Sequence, residues 1–229
     1  MLLIIAAASH ELAGLPGLVR HRSPDVRWIA SATIRGQEAT LVANGAGRRA
    51  VSRGARALLA RRRFRGIVSA GFAGALDPGL DVGEVLVADR ILHGGHAYPA
   101  RIPSACPPGV RSGALLTADE VIGTARAKRD LARGGARAVD MEAAAVARLA
   151  AEQKLPFYCV RSISDGADED LPVDFNRALR ADGSFSMWRV IRQAGCRPGA
   201  WRRLLGLARN AGTASRSLAE CLTGCEFGA

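Results

Sequence analysis

ARAVDMEAAAVARLAAEQKLPFYCVRSISD, residues 136–165, sets the frame for the whole chain. A short apolar strand runs into Asp140 and Glu142, an alanine-rich helix follows, and a second apolar strand closes on Ser164 and Asp165. Acidic residues thus sit at the ends of two strands read as neighbours. In open α/β sheets small molecules bind in the crevice outside the carboxyl ends of the strands. Glu142 and Asp165 are therefore expected to converge on one small molecule.

The remaining composition narrows the class. A chain of 229 residues holds one large α/β domain, and nothing divides it, so residues 1–229 are read as a single domain with a helical tail at about 187–222. The opening apolar run, residues 1–8, is too short to span a bilayer and lacks a basic leader, which favours a cytoplasmic protein. Five cysteines without a CxxC pair favour reduced thiols over a disulfide or zinc framework. The net charge of +11 raises nucleic acid or an acidic membrane surface as partners. Only Lys128 and Lys154 among the 32 basic residues are lysines, however, and arginine accompanies alanine and glycine throughout. That bias favours a solvated basic surface over a phosphate-binding face, and nucleic acid is not the expected partner.

In chain order, residues 1–8 form a buried strand that leads into Ser9, His10 and Glu11. Glu11 has two readings, a first-turn residue complementing a helix dipole or a carboxylate at a site edge. Residues 27–34 and 38–44 form a hairpin, and NGAG at 44–47 leads into an arginine-rich helix at 50–62. Residues 66–70 form the next buried strand, which opens into a glycine turn at Gly71, Phe72, Ala73 and Gly74 before a strand at 84–88, and Gly71 and Gly74 are compatible with close backbone approach to a ligand. His93 and His96 fall in a region read as loop, with no third ligand for a metal.

GFAGALDPGLDVGEVLVAD at 71–89, followed by AVDMEAAAVA and VRSISD, resembles the nucleoside phosphorylase and nucleosidase superfamily that includes methylthioadenosine/S-adenosylhomocysteine nucleosidase. The resemblance runs from the first strand to about residue 172. It implies an α/β phosphorylase/hydrolase-like fold, a mixed central sheet flanked by helices. It places Glu142 on the ribose hydroxyls, Met141 along the sugar, and Asp165 beside Ser164 where the leaving purine takes a proton at N7. It gives Glu11 the role of activating water, although the family's GAMEEE reads AASHE here. ADEVIG at 118–123 resembles the family segment whose aromatic residue stacks on adenine, so Val121 and Ile122 are expected on the base, with Phe72 or Phe157 nearby. These residue types suit the reaction, because N-ribosyl cleavage passes through an oxocarbenium-like state in which the base gains a proton and the sugar gains negative partners.

Departures bear on the substrate. Phe72 stands where the family carries serine, and no arginine precedes the glycine turn, which weakens a phosphate site there; Arg48 is the remaining candidate for an anion. The segment from TADEVIG to the tail RPGAWRRLLGLARNAGTASRSLAEC is similar to the hopanoid-associated phosphorylases, which release adenine from adenosylhopane. In the tail, Trp201, Leu204, Leu205, Ala208 and Leu218 make an apolar stripe opposed by arginines, suited to the sheet, to a second subunit, or to peripheral attachment at an acidic membrane.

The expectation is an enzyme that cleaves the N-ribosyl bond of an adenine nucleoside, with phosphate or water as nucleophile and a 5′-substituted, adenosylhopane-like substrate first in order. A methylthioadenosine/S-adenosylhomocysteine or other purine nucleosidase is the alternative, and a nucleoside- or nucleic-acid-binding protein on the same fold is the reading outside enzymes. No metal or organic cofactor is implied, and a homo-oligomer is expected.

Overall fold

Leu2–Ala6 (β1) is buried along its whole length, as a strand covered on both faces must be. It is the spine of the sheet in the computed structural model, which describes residues 1–228. Alternation along β1 divides the core. Leu3 and Ile5 face one apolar cluster, while Leu2, Ile4 and Ala6 face another.

On one side β1 pairs in parallel with Gln37–Ala43 (β4), which pairs antiparallel with Trp28–Ile34 (β3). The two-residue turn between them, Arg35 and Gly36, has φ of 47° and 77°, the left-handed pair that such a hairpin requires. Val19–His21 (β2) adds an exposed edge. On its other side β1 meets Gly66–Ala75 (β5). The remaining strands are Val85–His93 (β6), His96–Pro99 (β7), Arg111–Thr117 (β8), Ala138–Asp140 (β9) and Phe157–Asp165 (β10).

The sheet is mixed, as expected, but it is not simply open. β5 pairs with β10 along one edge, while its other edge serves β1 at residues 66–69 and β9 at residues 74 and 75. β10, β6, β8 and β9 pair in turn, so five strands close into a ring. β9 and β10 are therefore not neighbours. β5 lies between them, and their acidic ends flank it. Two further expectations change. The glycine stretch at 71–74 is not a turn but the second half of β5, and the loop read around His93 is a β6–β7 hairpin turned at Gly94 and Gly95.

Arg48–Leu59 (α1) and Ala143–Glu152 (α3) pack together over one face. Ala125–Ala132 (α2), Phe175–Ala178 (α4) and Met187–Ala194 (α5) are short. Pro198–Gly224 (α6) covers the other face, but its apolar stripe divides. Leu218 and Leu222 are buried against the sheet, Leu204 joins a small cluster with Val190 and Ala194, and Trp201, Leu205 and Ala208 face solvent. No helix among the described residues is long and apolar enough to cross a membrane.

After α6 the chain is pinned by Phe227, 1% exposed, whose ring meets Tyr158 edge-on at 5.2 Å while the Tyr158 hydroxyl donates to the Gly228 carbonyl. Phe227→Ala is expected to lower the unfolding free energy by about 3–5 kcal/mol, because a buried aromatic leaves a cavity that its surroundings only partly fill. A urea titration checks this. The five cysteines are free thiols, with Cys225 Sγ 3.6 and 3.7 Å from those of Cys221 and Cys106.

Candidate active site

The carboxyl ends of β1, β5, β9 and β10 open onto one cavity of about 650 Å³. Its wall carries ten of the residues expected there, namely Glu11, Phe72, Ala73, Gly74, Val121, Ile122, Met141, Glu142, Ser164 and Asp165. Gly71 lies instead on a narrow cleft behind the cavity, with Glu11, Ser69, Glu142 and Arg161.

Glu11 stands both in a first helical turn and on the cavity wall. It sits in the 3-10 turn Ser9–Leu12 that follows β1, buried, and Oε2 accepts the Ala8 amide at 2.7 Å. Oε1 accepts the Phe72 amide at 3.0 Å, which ties the turn to β5. Glu142 is the N-cap residue of α3, yet its side chain does not cap; Asp140 Oδ2 takes the Ala143 amide at 2.8 Å instead. Glu142 Oε1 is left to accept the Gly47 amide at 2.7 Å across the cavity floor. Burial, reinforced by the neighbouring Asp140 charge, raises the Glu142 carboxyl to about 7, against the pull of the Gly47 amide and Arg161.

Asp165 ends β10 and begins no helix. Its Oδ1 accepts from Ser164 Oγ at 2.7 Å and its Oδ2 from Lys128 Nζ at 2.5 Å. The glycines of β5 make room for these acids. A Cβ on Gly71 would meet Glu11 Oε1 at 2.8 Å, and one on Gly74 would meet Asp165 Oδ2 at 2.9 Å. The groups that the β5 backbone approaches at Gly71 and Gly74 are these two carboxylates.

Several residues around the site, Arg161 first among them, were not singled out from the sequence, whereas its partner Asp140 was. Arg161 and Asp140 form a buried ion pair at 2.6 Å, extended by Ser69 to Arg161 and Thr117 to Asp140. The pair holds the base of α3, and so Glu142, against β10. Arg27, Trp28, Leu171 and Phe185 line the outer wall. The segment 182–185 is drawn down by Arg27 to Asp182 at 2.5 Å and by the Ala46 amide to the Gly183 carbonyl at 2.8 Å.

Other expectations fall away from the site. Arg48 turns to Asp119 and His93, and the His93 ring sits between Arg48 and the Thr117 carbonyl. Phe157 lies at the far end of β10, buried in the core. His96 is exposed on β7, and no metal-binding cluster occurs among the described residues.

Among the described residues on the cavity wall the only arginine, Arg27, is paired, and Arg161 behind it is committed to Asp140. The floor presents two carboxylates. Electrostatically it suits a neutral polyol or a developing cation and repels an anion.

Comparison with known proteins gives a family. The sequence model of the Phosphorylase superfamily matches residues 2–110 and 104–186. The 5′-methylthioadenosine/S-adenosylhomocysteine nucleosidase of Mycobacterium bovis is 30% identical over 230 residues, covering 76% of this chain and 89% of its own. That of Geobacillus thermodenitrificans is 29% identical over 220 residues, covering 82% and 93%. Among solved structures, S-adenosylhomocysteine nucleosidase from Streptococcus pyogenes, in complex with 5-methylthiotubericidin, superposes with a TM-score of 0.69 at 20% identity over 97% of this chain and 94% of that one. At that identity the superposition speaks for the fold.

Proposed function

The chain belongs to the phosphorylase superfamily, and from that premise we propose that it is an N-ribosidase that releases adenine from a nucleoside, with water as the nucleophile. The observation that carries this reading is the meeting of Glu11, Glu142 and Asp165 on one cavity from three separate parts of the chain. Glu142 holds two ribose hydroxyls and faces the oxocarbenium-like sugar with negative charge. Glu11 takes a proton from water as its oxygen attacks C1′. The C1′–N9 bond breaks, its electron pair passes into the purine, and Asp165 protonates N7. Val121, Ile122 and Phe72 supply the apolar surface for the base, and Met141 packs along the sugar.

Water is preferred to phosphate because the floor is acidic and its nearest guanidinium groups are already paired. The finer reading is an apolar 5′ substituent of adenosylhopane type. It is supported by the sequence resemblance, by Phe72, and by Phe185 at the cavity mouth, which is followed by exposed Met187 and Trp188. The same exposed residues, beside Arg189 and Arg192, suit peripheral contact with an acidic membrane, and the exposed half of α6 suits a second subunit. We read residues 1–229 as one domain.

The test is adenine release from methylthioadenosine, S-adenosylhomocysteine and adenosines with 5′-alkyl chains of increasing length, each with and without phosphate. Release independent of phosphate is expected, with kcat/KM rising with chain length. Strict phosphate dependence would overturn the choice of water, and preference for methylthioadenosine over every longer chain would overturn the apolar 5′ group. Gly74→Ala is expected to cost about 10- to 100-fold in kcat, since its new Cβ would displace the Asp165 carboxyl while the fold persists. Steady-state kinetics beside a thermal melt separate the two effects.

A further inference from the structure

Lys128 is a fully buried ammonium for which the reaction above has no use. It projects from α2, whose first turn is capped by Thr124 and tied by the Ala125 amide to Asp170 in the loop after β10. Nζ has three hydrogen-bond partners, Asp165 Oδ2 at 2.5 Å, the Gly166 carbonyl at 2.6 Å and the Glu169 carbonyl at 3.2 Å. An ammonium has three N–H donors, so the charged form is fully satisfied. A neutral amine has two, enough for the two carbonyls, and its lone pair then faces Asp165 Oδ2. The pocket around Nζ is thus satisfied both as ammonium with carboxylate and as amine with carboxylic acid. Among the described residues two basic side chains are buried, Arg161 and Lys128. In a chain with only two lysines, one of them occupies the buried position that touches the proposed acid.

We propose that Lys128 is a positioning residue that supplies Asp165 with the proton delivered to the leaving base. This rests on the nucleosidase reading. The proton passes from Nζ to Asp165, giving amine and carboxylic acid. It passes from the carboxyl group to N7 as C1′–N9 breaks and the bonding pair enters the purine. The amine regains a proton from solvent once the base has left. Arginine could hold the carboxylate in place but could not perform this step, because its guanidinium does not give up a proton in proteins.

The experiment compares the full-length wild type with Lys128→Met and Lys128→Arg on two substrates, the adenine nucleoside and 4-nitrophenyl riboside, whose phenolate leaves without a proton. Both variants are expected to lose about a hundredfold in kcat on the nucleoside, as for loss of a positioned proton donor, with KM little changed. Both are expected to keep turnover of the nitrophenyl riboside. A thermal melt identifies which variants are folded, and Lys128→Arg, which retains the buried charge pair, carries the test where Lys128→Met does not fold. Lys128→Arg with wild-type kcat on the nucleoside, or an equal loss on both substrates, would overturn the proposal. A wild type that releases base from no nucleoside overturns the nucleosidase reading and this inference with it, whereas an active wild type beside an equally active variant overturns the inference alone.

Discussion

Asp165→Asn is expected to abolish nearly all base release, with kcat lower by about a thousandfold or more, within the range for a positioned general acid. The side chain keeps its shape, and its one carbonyl oxygen can still accept from Lys128 while its amide donates to Ser164 Oγ, so substrate binding should change little and the loss should appear in kcat. Asparagine has no proton to surrender to N7. The substitution also has a cost in stability. Lys128 Nζ is fully buried, and among the described residues the Asp165 carboxylate is its only charged partner in hydrogen-bond contact. Removing that charge leaves a buried cation uncompensated, a loss of about 3–5 kcal/mol in such cases. Adenine release and a urea titration on the same preparation therefore both report on Asp165. Activity that survives the substitution would remove Asp165 from the role of acid, whatever the stability shows.

The architecture was legible where a strand's surroundings are written into its own residues. The uninterrupted apolar run of β1 reads as buried on both faces, and the β3–β4 hairpin declares itself by its two strand-like runs and its Arg35–Gly36 turn. Ring closure was not legible, because β5 and β10 are buried on both faces and such strands do not specify which neighbours they take. Gly71 and Gly74 carried a true signal of close approach, without naming the Glu11 and Asp165 carboxylates that crowd them. The same ambiguity holds for any glycine, since a missing Cβ records crowding but not its source. Glu11, Glu142 and Asp165 stand at strand ends or just beyond them, which is why sequence order could place them. Lys128 lies on an amphipathic helix between the quoted motifs, and nothing in the sequence tied it to Asp165. The tail stripe failed as one feature because α6 passes from solvent onto the sheet midway along its length, a change that helical periodicity alone does not contain.

Glu142→Gln is expected to cost about 10²- to 10⁴-fold in kcat/KM, the equivalent of two hydrogen bonds to a charged group at roughly 1.5–3 kcal/mol each. Glutamine can still accept the Gly47 amide, so the loop at 45–47 should remain in place. The effect then belongs to the charge, and pH separates it from a structural defect. Burial and Asp140 hold the Glu142 carboxyl at about 7, above its ordinary 4.5. The ionised form that serves the sugar therefore accumulates only as pH approaches 7, and activity should rise across that interval with a limb that Glu142→Gln lacks. Stability runs the other way. With the folded value raised above the unfolded one, the folded protein binds more protons between about 4.5 and 7, so this group's contribution is complete below 4.5 and is lost as pH rises through 7. Stability of the ligand-free protein should thus decline over the interval in which activity climbs, and Glu142→Gln should flatten both slopes. A rising activity limb that persists in the variant would assign the titration to another group. Glu11, which faces the same floor, would then be the residue to substitute next.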